Sequence, residues 1–305
     1  IGLFSTISSG TIVKNLIVAI PNSKRGIYEN GSTRQYITNL EAYSSVNFGG
    51  IAGINNGIIT NCDVVAIKSN LENGYVANFL TTAPSSVNVG GLVGTNSSSG
   101  IITNSRVGRK EVDILRTSYV GSVVASKTRL QNTTNFIMAL YGGGNVGGFV
   151  GVNAGTISSS YVDNLQLEVY SASRTSPIKT AGFAVINSGY IYGSYASGPE
   201  EGVTGNYSVS RKLGGGIFSN GLVSGFVFNN ENYIADCYSN INLSGNYEFA
   251  LQSERVLHDK DLTDVSSSPA VAGFVYVKDE KSIVKTSYSL SKIKSNSSYG
   301  PFESP

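Results

Sequence analysis

The chain has 305 residues with 22 Lys and Arg against 20 Asp and Glu, a net charge of +2, and only 14% of its residues are charged. Soluble domains carry about 25%; a near-neutral chain with no basic patch excludes nucleic acid as a partner. Two cysteines and one histidine exclude both a disulfide framework and a zinc ligand set, and no cofactor is implied.

Glycine accounts for 36 residues, there is no Trp, and Ser, Thr, Asn and Tyr supply the polarity. That balance suits an extracellular all-β repeat better than a cytosolic enzyme. Internal repetition is therefore the first thing to test. The stretch from Val146 to Val162 recurs along the chain, with a glycine before an apolar pair at Gly2, Gly50, Gly91, Gly148, Gly182, Gly225 and Gly273. Regular motifs with variable spacers are the pattern of stacked structural repeats. The expectation is one all-β solenoid, a parallel β-helix over 1–305, with seven repeats starting near residues 1, 48, 89, 146, 180, 223 and 271.

In chain order, residues 1–18 form a weak first copy, and 19–47 read as a turn-rich excursion. Copies at 48–67 and 89–107 are joined by a loop around 70–84. The insertion 108–145 contains Val112–Leu115 and Tyr119–Ala125, read as extra strands or one short helix, and ends in a flexible return at Tyr141–Asn145. Copies at 146–169 and 180–196 follow, then a Gly/Ser-rich stretch at 197–222 and a copy at 223–243. Leu251–Asp264 has apolar residues at near-helical spacing. The last copy is 271–290, and 298–305 resemble the approach to another, so further protein beyond residue 305 is expected. The chain does not begin with Met, which reads as a processed chain or an excerpt of a longer one. Ile137–Gly155 lacks charge over the length of a membrane span, but its glycines and the repeat register explain it, and no membrane span is expected.

Three columns are predicted to stack. A large apolar residue follows the glycine at Leu3, Ile51, Leu92, Phe149, Phe183, Phe226 and Phe274. Next comes an Asn-x-Gly turn, as at Asn153 and Gly155; Asn232 stands in the glycine place of one copy, which predicts a positive-φ turn. A β-branched residue follows at Ile59, Ile102, Ile157, Ile191 and Ile234, with Ile12 and Val284 in the end copies. Four residues later stand Asp63, Arg106, Tyr161, Tyr195, Tyr238 and Tyr288. The tyrosines are read as a ladder stacked between neighbouring strands, in preference to a stripe for sugar rings. Cys62 and Cys237 fill the place of Ser160 and Ser194. Four repeats apart they stand at least ~19 Å from one another at ~4.8 Å per strand, too far for a disulfide.

Residues 90–96 and 147–157 resemble the GLUG motif of bacterial surface proteins, found in adhesin-like proteins and in the non-catalytic parts of immunoglobulin-A-cleaving metallopeptidases. The resemblance covers the seven motif copies but not the loops, and it is degraded in the first and last. It implies a secreted or surface-anchored repeat region at the bacterial cell surface.

No constellation carries chemistry. The Gly-rich stretches lack the Lys-Ser/Thr of a phosphate-binding loop. His258 lies among Asp259 and Asp261 on a charged loop, and a triad is assembled in space rather than from adjacent residues. Asp63, Asp163, Asp236 and the Asp259–Asp264 group do not share one phase of the repeat, as a glycosidase or lyase pair would require. The metallopeptidase zinc motif and the calcium-binding nonapeptide are absent. The long insertions fall between the tyrosine position and the next glycine pair, stacked along one side as a binding surface. The expected function is thus a non-catalytic adhesin, stalk or filament subunit, with a host or neighbouring-cell surface protein or glycan, or copies of itself, as partner. An accessory region of a large metallopeptidase is the alternative, ahead of a polysaccharide-active enzyme.

Overall fold

In the computed structural model, the residues described are 1–21, 26–30, 33–37, 40–42, 45–67, 77–81, 87–109, 114–120, 123–130, 136–171, 177–199, 216–219, 221–245 and 271–295. The fourth copy shows how each is built. It runs through a lead strand Asn145–Gly147, an asparagine strand Val150–Asn153, an isoleucine strand Thr156–Ser158, a tyrosine strand Tyr161–Val162 and a closing strand Leu165–Ser171. Each copy makes one coil, and like strands of successive coils pair in parallel. The result is four seven-stranded sheets and a six-stranded lead sheet: a parallel β-solenoid. Among the described residues every regular element is a strand.

Short strands with alternating apolar side chains suit this arrangement, because one face of each strand points into the coil and the other to solvent. The inward set forms one continuous core from Ile7 in the first coil to Leu243 in the sixth. Close stacking dictates the glycine pair. A Cβ on Gly50 would lie 2.8 Å from the Gly91 carbonyl oxygen, and one on Gly148 would collide with the carbonyl of Gly182. On Gly273, in the last coil, an added Cβ meets only the Ser289 hydroxyl, at 3.1 Å. Outside the barrel, where the lead and asparagine sheets meet, Gly53, Gly94 and Gly151 are followed in later coils by Val185, Phe228 and Tyr276. There Ala181, Val185 and Phe228 form a second small core, with Phe228 stacked on Tyr276 at 4.7 Å.

Several details differ from the sequence reading. Gly57, Gly100, Gly155, Gly189 and Asn232 have no positive φ; Gly155 is small because a Cβ would strike the carbonyls of Gly100 and Ser97. The left-handed residue comes later, between the isoleucine and tyrosine strands, at Asn15, Asn61, Asn104, Ser159, Gly193, Asp236 and Thr286. In the first coil Val13, not Ile12, pairs with Ile59, which leaves Ile12 on the outer surface, 57% exposed. Tyr141 and Gly142 belong to the closing strand Phe136–Gly142 rather than to a flexible return. Of the two alternatives for the insertion 108–145, extra strands or one short helix, the strands are found: Ile114–Val120 and Val123–Leu130 pair antiparallel. The insertions do lie between the tyrosine strand and the next glycine pair, but the closing strand divides that span. In the first, third and fifth coils the longer insertion precedes the closing strand; in the fourth and sixth it follows. The helical spacing at 251–264 lies outside the described residues.

Candidate functional site

The inward columns hold the outer face in place. Phe149, Phe183 and Phe226 are fully buried and stacked at 4.7 and 4.8 Å, with Phe274 beyond Phe226 at 4.9 Å. Ile59, Ile157, Ile191 and Ile234 share one buried column, with Ile102 between the first two. Centroid spacings near 4.8 Å follow from the strand separation itself.

Sequence reasoning took the next column for a turn and missed its role. Asn55, Asn96, Asn153, Asn187 and Asn230 are fully buried. Each of the first four donates its Nδ2–H to the Oδ1 of the next at 2.8 Å, and Asn153 also donates to the Gly155 carbonyl at 3.3 Å. The signal was available: one amide at a fixed place in five copies, between apolar strands. A polar side chain buried at that place has to find its partners in the neighbouring coil.

A second polar column holds the bend before the tyrosine strand. The hydroxyls of Ser105, Ser160 and Ser194 donate to the carbonyl two residues back, at 2.9, 2.8 and 3.0 Å. Each accepts a backbone N–H from the preceding coil, at 3.2, 3.3 and 3.2 Å. Cys62 and Cys237 occupy this column as free, buried thiols. The Cys237 Sγ lies 3.0 Å from the Ala235 carbonyl oxygen, and burial pushes its pKa up to about 12. Burial raises Cys62 likewise. Both are protonated, inert thiols at neutral pH.

The outer face of the tyrosine sheet gathers the polar and aromatic side chains. Tyr161, Tyr195, Tyr238 and Tyr288 stack at 4.5, 4.8 and 5.5 Å. The Arg106 guanidinium covers the free side of Tyr161 at 5.0 Å from the ring centroid, a cation–π contact. Asp63, next in the column, forms an ion pair with Arg109 at 3.5 Å. Burial raises the pKa of Asp63, against the pull of Arg109 and Arg106. Asp163 accepts hydrogen bonds from the Tyr195 hydroxyl at 2.9 Å and from Ser197 Oγ at 3.3 Å. Burial first, then the Asp163 charge, raises the pKa of Tyr195; burial raises Tyr238. Because the rings cover one another's faces, the ladder offers solvent its edges and hydroxyls. A cleft of about 450 Å³ opens between Arg106 and Asp236, over Gly193, walled by Tyr161, Tyr195 and Tyr238.

The carboxylates Asp63, Asp163 and Asp236 belong to the second, fourth and sixth coils, which at ~4.8 Å per coil spreads them over ~19 Å. His258 and Asp259–Asp264 lie outside the described residues. Among the described residues no three His, Cys, Asp or Glu side chains group as metal ligands, and no helix is long and apolar enough to cross a membrane. Compared with family models, curated proteins and solved structures, the chain matches none.

Proposed function

We propose that this chain is a non-catalytic extracellular β-solenoid of a bacterial surface or secreted protein. It acts as an adhesive scaffold, stalk or filament subunit toward a host or neighbouring-cell surface protein or glycan, or toward copies of itself. The observation that carries the reading is the continuity of the columns. Phenylalanine, isoleucine, asparagine and tyrosine rows run through successive coils with their polar groups paired along the row, so the invested side chains stiffen a rod. The carboxylates on the outer face are spaced two coils apart instead of facing one another across a single bond, as glycoside hydrolysis requires. Low charge and insertions carried on a rigid body suit a surface scaffold, whose loops are its usual binding elements.

The test is to incubate the purified chain with peptide and polysaccharide substrates, and in parallel to measure retention of chain-coated beads on bacterial and host cells. Retention without product formation is the expected outcome. Turnover of any substrate that is lost on substitution of Asp163 or Asp236 would overturn the proposal.

A further inference from the structure

We propose that the cleft over Gly193 binds a neutral oligosaccharide, held edge-on by hydrogen bonds to the tyrosine face; this rests on the scaffold reading above and gives it a site on the solenoid body.

Nothing in the fold requires a glycine at position 193. Its φ of 56° is shared by Asn61 at 51° and Asn104 at 48° in the same column, so an asparagine would adopt the same backbone. Nor is it a close approach, for a Cβ on Gly193 would meet nothing nearer than Ser159 N and Oγ at 3.8 Å. The glycine pair, in contrast, is forced by carbonyls of the next coil. Every other coil carries a side chain at this place, from Asn15 to Thr286. The missing side chain is what opens the cleft.

The walls select the occupant. With their faces stacked on one another, Tyr161, Tyr195 and Tyr238 present ring edges and hydroxyls. The Tyr195 hydroxyl is held by Asp163. Arg106 stands at one end and Asp236 at the other, three coils apart or ~14 Å at ~4.8 Å per coil. An apolar ligand would strip water from both charges without replacing it. A polyanion would meet the Asp236 carboxylate. A hydroxyl-rich neutral chain fits both ends: its oxygens accept from Arg106 and its O–H groups donate to the Asp236 carboxylate, while the Tyr195 hydroxyl, its proton given to Asp163, accepts, and those of Tyr161 and Tyr238 serve as donor or acceptor. Since no ring face is free for stacking on a pyranose, recognition rests on hydrogen bonds and is weak.

The experiment titrates the full chain with cellotetraose, maltotetraose and chitotetraose up to about 10 mM, a weak-binding range, following tyrosine ring signals by NMR. Two variants accompany it. Gly193→Asn fills the cleft with the residue its own column uses elsewhere, and Asp236→Asn keeps the shape and the tolerated φ while removing the charge. We expect at least one tetrasaccharide to bind, and Gly193→Asn to weaken it at least about tenfold with an unchanged melting temperature. Should Gly193→Asn fail to fold, Asp236→Asn decides, with a weakening of the same sense expected. Absence of binding by all three sugars, or binding that neither variant alters, overturns the site. Cleavage of a bound sugar would instead count against the non-catalytic reading and leave the cleft standing.

Discussion

Asn153 sits at the middle of five buried amides, accepting from Asn96 and donating to Asn187, each at 2.8 Å. Replacing it with alanine strands one donor and one acceptor in the core. Unsatisfied buried groups cost about 1–3 kcal/mol each, so Asn153→Ala is expected to lose roughly 2–5 kcal/mol in a denaturant titration. Asn230→Ala, which strands only the Oδ1-directed donor of Asn187, should lose about half as much. A second residue-scale prediction concerns pH. Burial raises the Cys237 thiol from 9.0 to about 12 in the folded chain, so the folded state keeps its proton where the unfolded state releases it. The stabilising contribution is whole below pH 9 and fades as pH climbs through 12. Cys237→Ser places there the residue found at Ser160 and Ser194, and it should flatten the fall in melting temperature over that alkaline window.

At the scale of the strands, what matters is how closely one coil approaches the next. Gly148→Ala drives a methyl into the Gly182 carbonyl and is expected to cost more than about 3 kcal/mol, in the range of severe core lesions. Gly273→Ala, meeting only the Ser289 hydroxyl at 3.1 Å, should shift the melting temperature little; equal losses at both sites would refute this account of the glycine pair. In the tyrosine strands, Tyr195→Ala removes two stacked contacts, at 4.5 and 4.8 Å, each worth about 0.5–1.5 kcal/mol beyond burial. Tyr195→Phe retains the stack and loses only the bond to Asp163, so its melting temperature should fall between those of Tyr195→Ala and the parent.

These elements were unequally legible in the sequence. Phe149, Phe183 and Phe226, like the tyrosines, repeat one large side chain at one place, and that repetition reports stacking directly. The closing strands Phe136–Gly142, Leu165–Ser171, Ile217–Ser219 and Leu243–Gly245 repeat a residue at scattered places only, such as Tyr141 against Tyr170. Their apolar alternation by itself was lost among the insertions. Ile12 and Val13 are both β-branched, so only pairing with Ile59 tells which points inward. The left-handed turn passed unnoticed because Asn, Ser, Gly, Asp and Thr all occupy it.

Across the whole molecule, stability is a sum over coils and their contacts, as in other solenoids. The end coils expose apolar side chains at places that inner coils bury: Leu3 and Phe4 are exposed where Ile51, Leu92, Ala52 and Val93 are fully buried, and Phe274 and Val275 are half-buried where Phe226 and Val227 are fully buried. Each also has a neighbour on one side only within the described residues. Local opening therefore starts at the ends. Hydrogen exchange read by mass spectrometry should find amides of the third to fifth coils the slowest and those of the first and seventh the fastest; protection equal in every coil would contradict the sum-of-coils picture.

The asparagine row has one consequence for the molecule's long axis. All four of its amide bonds run the same way, from Asn55 toward Asn230. Turning a single amide over would set NH2 against NH2 on one side and oxygen against oxygen on the other. The five therefore reverse together or not at all, and the aligned amides polarise one another. A polar thread with a negative tail and a positive head runs up the interior of a rod whose net charge is only +2, giving its two ends different electrical character.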